Sequence, residues 1–94
     1  MNKYELMTLA KGSQGEMKAK ELSKEVAELV KSLGGKIEKS DFWGKRKLAY
    51  KINQETDGFY EVVDFELPKE KISELKKKMN IIDNLVRYLI TANS

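Results

Sequence analysis

Cysteine and histidine are both absent from the 94 residues. Without Cys there is no disulfide framework and no thiolate metal site, and without His the commonest general base and metal ligand is missing. Most enzyme chemistries are removed with them. Proline occurs once, and no apolar run approaches the roughly 20 residues that a membrane-spanning helix needs. The start, MNKYELMTLAKGS, lacks a long apolar stretch with a cleavage site, so the chain is expected in the cytoplasm. Charge of either sign is plentiful instead. Charged residues make up 35% and hydrophobic ones 40%, with 18 Lys and Arg against 15 Asp and Glu, a net of +3. That balance permits a polyanionic partner without establishing one, so the distribution of the charge has to decide. At this length the chain, residues 1–94, is one domain, because two halves would each be too small to bury a core.

Residues 2–10 carry Tyr4, Leu6, Thr8 and Ala10 on one strand face and Glu5, Met7 and Leu9 on the other. Both faces are apolar enough for a central strand. A turn-rich connection follows at 11–15, where Ser13 and Glu16 have capping-box spacing and Gly15 is the alternative cap. The spacing of Leu22, Val26, Leu29, Val30 and Leu33 predicts a helix over 17–33, stopped by Gly34 and Gly35. Residues 36–53 read as one long strand kinked at Gly44, or as a strand with an extended arm. Residues 53–58 are expected to form the hairpin loop, with Asp57-Gly58 supplying positive φ. A third strand over 59–67 sets Val63, Phe65 and Leu67 against Tyr60, Val62, Asp64 and Glu66. Pro68 fits the first position of a second helix with Ile72, Leu75 and Met79 as its buried stripe, and residues 85–92 form the last strand. The order βαββαβ, with two amphipathic helices needing one apolar sheet face, leads to an α+β ferredoxin-like fold: a four-stranded antiparallel sheet with both helices on one face.

No G-x-S-x-G, S-x-x-K or phosphate-cradling glycine loop is present, and a small one-sided sheet offers no deep cleft for paired carboxylates. An enzyme is not expected, and neither a cofactor nor a metal site is expected. The basic residues say more. Glu16 and helix one together carry four Lys against four Glu and read as a solvated face. Residues 45–54 hold Lys45, Arg46, Lys47 and Lys51 with no acid. Beside them stand Trp43 and Tyr50, and cations interleaved with aromatics can pair with phosphates and stack on unpaired bases. The plainer reading is an edge strand guarded by positive charge. Lys76, Lys77 and Lys78 form a second run that also complements a helix dipole. Tyr60 and Val62, on the uncovered face, could be a binding platform or scattered surface apolar residues.

The run Asp41-Phe-Trp-Gly-Lys-Arg-Lys-Leu-Ala-Tyr-Lys-Ile-Asn53, with Tyr4-Glu5, Gly58-Phe-Tyr60, Asp83-Asn84 and Arg87, resembles the family of the sixth protein of the bacterial small ribosomal subunit. The resemblance spans essentially the whole chain. It implies the fold reached above and a structural role in the ribosome. It also implies pairing with the eighteenth small-subunit protein and binding of the pair to the central domain of small-subunit ribosomal RNA. Carried over by residue, it marks Arg46, Lys47 and Arg87 as RNA contacts. Two departures stand out: Asn80 and Ile82 lie where members often have basic residues, and Lys51 replaces a common Pro, which restores a backbone donor. The alternative from a different class is a ferredoxin-like regulatory domain that dimerises and binds a small ligand.

Overall fold

In the computed structural model, which describes residues 1–93, the chain runs β1 (Asn2–Lys11), α1 (Gly15–Ser32), β2 (Lys36–Ile52), β3 (Glu55–Leu67), α2 (Ile72–Met79) and β4 (Leu85–Asn93). The strands form one antiparallel sheet in the order β2-β3-β1-β4. This is the expected ferredoxin-like arrangement. Tyr4, Leu6 and Ala10 of β1 and Phe59, Val63, Phe65 and Leu67 of β3 meet Ala19, Leu22, Val26 and Val30 of α1 and Leu75 and Met79 of α2 in one core. The period of two along the strands and of three to four along the helices therefore converge on a single layer. Tyr4 and Phe65 stack there at 5.5 Å between ring centroids.

Midway along β3 a charged side chain interrupts the apolar alternation. Glu61 is only 5% exposed, and the hydroxyls of Ser23 on α1 and Ser40 on β2 both donate to its Oε2 at 2.7 Å. A buried carboxylate needs such donors, and these two tie the first helix to the edge strand.

Three sequence expectations shift. The β2–β3 turn is the pair Asn53-Gln54, with φ of +50° and +71°, and not the segment 53–58. Asp57 and Gly58 are instead paired strand residues, opposite Lys47 and Arg46 on β2, and Gly58 also faces Lys11 on β1. Helix α1 begins at Gly15, earlier than the expected Met17, and no side chain caps it. Ser13 belongs to a 3-10 turn, Gly12–Gln14, and bonds elsewhere. Pro68 precedes a second 3-10 turn, Lys69–Lys71, so the α-helix starts only at Ile72. The fixed φ of Pro suits a tight entry as well as a first helical turn.

Candidate nucleic-acid and partner interface

Strand β2 is a sheet edge, with no strand along its outer side. Gly44, at φ +82°, marks a break in its register with β3 between Phe42 and Gly44. Only glycine adopts that conformation cheaply, so the bend is encoded by the residue that suggested it. Beyond the bend Lys45 lies opposite Phe59, Arg46 opposite Gly58 and Lys47 opposite Asp57. Alternation sends Arg46 to the open sheet face, and Lys45 and Lys47 to the other. The three cations thus straddle the edge and do not form one flat patch. All three are exposed.

Their charges are not equivalent. Lys45 Nζ lies 3.5 Å from Asp57 Oδ2, an acid that the run 45–54 does not contain but that strand pairing supplies. Arg46 donates to the Lys45 carbonyl at 3.1 Å. Neither Arg46 nor Lys47, nor Lys51, forms an ion pair among the described residues.

A second break follows. Between the pairs Lys47–Asp57 and Ile52–Glu55, β2 has four residues, 48–51, where β3 has only Thr56. This bulge buries Leu48 and pushes Tyr50 out to 65% exposure, with Lys51 exposed beside it. At the base of the bulge Glu55, 9% exposed, accepts the Ser13 backbone N–H at 3.0 Å and the Ser13 hydroxyl at 2.9 Å. The Ser13 backbone bond, then its hydroxyl, hold the Glu55 carboxyl below the usual carboxylate range. By sequence alone Ser13 has a capping role and Asp57 a turn role, and neither these two nor Glu55 is connected with the basic edge. The Ser13–Glu55 contact crosses 42 positions, and local spacing gives no sign of it.

The open sheet face is organised in rows. One row runs Gly44, Tyr60, Leu9, Arg87 from edge to edge, and the next runs Asp41, Val62, Met7, Leu89. Trp43 tilts against Tyr60 at 6.3 Å, while its indole N–H donates to Asp41 at 3.2 Å. Met7, Leu9, Tyr60, Arg87, Tyr88 and Leu89 frame a shallow hollow of about 210 Å³. Leu89 is 61% and Trp43 43% exposed. A third row runs Lys39, Asp64, Glu5, Thr91, and the buried Asp64 Oδ1 has no hydrogen-bond partner among the described residues. The face therefore grades from Arg46 and Arg87 at one end, through apolar side chains, to the charged row of Lys39, Asp64 and Glu5. Of the sequence candidates, Arg46, Arg87, Trp43, Tyr60 and Val62 are brought together here. Lys45, Lys47, Lys51 and Tyr50 stay on the edge and its bulge. Lys76, Lys77 and Lys78 are exposed in the last turn of α2, where cations favour the dipole.

Comparison with known proteins places residues 3–92 on the model of the family described as ribosomal protein S6. The chain is 40% identical over 90 residues to the small ribosomal subunit protein bS6 of Symbiobacterium thermophilum, covering 96% of this chain and 95% of that one. Its counterpart in Dictyoglomus turgidum is 35% identical over 91 residues, covering 97% and 94%. Among solved structures, the crystal structure of 30S ribosomal protein S6 from Thermotoga maritima superposes with a TM-score of 0.91 at 25% identity, over 98% of this chain and 87% of that one.

Proposed function

The chain belongs to the ribosomal protein S6 family and is a structural constituent of the small ribosomal subunit, and from that premise we propose that it binds ribosomal RNA through the β2 edge while its open sheet face receives a partner protein. The proposed partner is the eighteenth small-subunit protein, and the RNA is the central domain of the small-subunit ribosomal RNA. The observation that carries the reading is the continuity of the two surfaces. Arg46 and Arg87 border the apolar rows of the open face, while Lys47 and Lys51 lie on the edge beyond. A protein seated on Tyr60, Val62, Met7 and Leu89 would bring its own cations beside these.

Physical considerations favour this division. Phosphate contacts position a protein on RNA and supply most of its salt-dependent affinity. Beyond Gly44 the β2 edge offers four cations, one of them shared with Asp57, fewer than the six to ten contacts that give steep salt dependence. The sheet face supplies what the edge lacks, an apolar centre with a polar surround. Glu5 and Asp64 stand opposite each other, with Lys39 facing Asp64 from β2, so a basic side chain from the partner would balance the carboxylate that remains. Trp43 and Tyr50 are exposed aromatic surfaces on which unpaired bases can stack.

Gel filtration of this chain with the partner and with a central-domain RNA fragment tests the assignment. A three-component complex is expected, and failure of partner and chain to co-elute in any combination would contradict it.

A further inference from the structure

We infer that Ser13 and Glu55 form a clamp that holds the β2 bulge carrying Tyr50 and Lys51 in its RNA-binding shape, an inference that rests on the RNA-binding reading above. Residues 48–51 face a single residue on β3, so ladder hydrogen bonds alone do not define their path. The turn that follows is strained, because Gln54 sits at φ +71°, a region an unbranched side chain seldom occupies. Such a conformation persists where its surroundings over-determine it. Glu55 is the next residue, and it does two things at once. Its backbone, opposite Ile52, closes the bulge, and its side chain crosses to the β1–α1 connection, where Ser13 donates to both oxygens.

The neighbouring contacts reinforce the same point. A Cβ on Gly12 would run into the carboxylate and backbone of Asp57, so the 3-10 turn Gly12–Gln14 lies flush against β3. That turn thus braces Glu55 and Asp57, the two residues flanking Thr56, and Asp57 in turn holds Lys45. Two adjoining elements fix the base from which Tyr50 and Lys51 project.

The charge of Glu55 argues for positioning over attraction. A carboxylate beneath a phosphate-binding segment opposes RNA by simple Coulomb repulsion. Its benefit is preorganisation, since Tyr50 and Lys51 on a wandering loop would lose affinity to the cost of ordering them. Glu55 and Ser13 are therefore positioning residues, and the RNA contacts belong to the cations.

The two effects have opposite signs, and this makes the test sharp. In filter binding of the chain with its partner to a central-domain RNA fragment, Coulomb repulsion alone predicts tighter binding for Glu55→Ala. The clamp predicts binding weaker by about tenfold, the loss from releasing two ordered side chains, Tyr50 and Lys51. Ser13→Ala, which changes no charge on an exposed turn residue, should also weaken binding, while Ser13→Thr, which keeps both donors, should not. The double variant should bind no worse than Glu55→Ala, because both changes remove one interaction. Amide exchange at residues 48–52 should quicken in each weakened variant while the β1 amides stay protected. Equal or tighter binding by Glu55→Ala, or additive losses in the double variant, would overturn the clamp. Lys47→Glu and Lys51→Glu in the same assay separate the two claims. If they weaken binding and the clamp variants do not, only the clamp falls; if they do nothing, the RNA reading falls and the clamp with it.

Discussion

Removing the edge cations one at a time should give unequal losses that follow the structure and not the sequence. Arg46 and Lys47 carry no ion pair among the described residues, whereas Lys45 is held 3.5 Å from Asp57 with its own side chain 58% exposed. Each phosphate contact contributes about 0.7 to 0.9 to the slope of log affinity against log salt. Between 50 and 200 mM salt this is about a threefold effect per contact. Lys47→Gln and Arg46→Gln should therefore each flatten the slope by nearly one unit and weaken binding on every RNA sequence alike. Lys45→Gln should do less. An exposed pair is worth at most about 1 kcal/mol, so freeing Lys45 by Asp57→Asn should tighten binding by up to about fivefold. Filter binding with the partner present, across a salt series, reads all four variants. If Lys45→Gln gives the largest loss, or if the slope is the same throughout, the phosphate-edge account is wrong.

Phe65, 1% exposed and stacked on Tyr4, should cost about 3 to 5 kcal/mol when truncated to Ala. Urea unfolding would show a midpoint lower by at least about 1 M; an unchanged midpoint would place Phe65 outside the core. Because Ser13 lowers the Glu55 pKa, the clamp adds stability above the unfolded carboxylate range near 4.5, and that stability is lost as pH falls through the lowered folded value. Ser13→Ala should therefore reduce the loss of stability on acidification below that range, as measured by urea midpoints at several pH values; a profile identical to that of the unmodified chain would refute it. Leu89→Asp, at a site 61% exposed, should leave the urea midpoint nearly unchanged. It should nevertheless weaken partner binding by tenfold or more in calorimetry, and unaltered partner affinity would move the docking surface elsewhere.

How far the sequence alone reached depended on the range of the interaction. Period-two and helical spacing depend on residues a few positions apart, and they located all six elements and the inward faces of Val63, Phe65 and Leu67. Gly44 was readable as a bend because glycine inside a strand pattern has few other uses. The hairpin turn was misplaced because Asp57-Gly58 matches turn chemistry, while the need for glycine there is tertiary. A Cβ on Gly58 would collide with Leu9, and Leu9 is on another strand. The Asn53-Gln54 turn was obscured for the opposite reason, since Gln is an unusual residue for positive φ. At the candidate site the cations were visible as a run without acids, but their inequality was not. Asp57 reaches Lys45 only through strand pairing, and Glu61 finds its hydroxyl donors 21 and 38 positions away.

A filter-binding titration at near-physiological salt bears most directly on the shared RNA platform. Central-domain RNA would be titrated with this chain alone, with its partner alone and with both. Weak binding by each protein singly and tight binding by the pair is the expected result. Equally tight and specific binding by this chain alone would contradict the shared platform and make the β2 edge a self-sufficient RNA-binding surface.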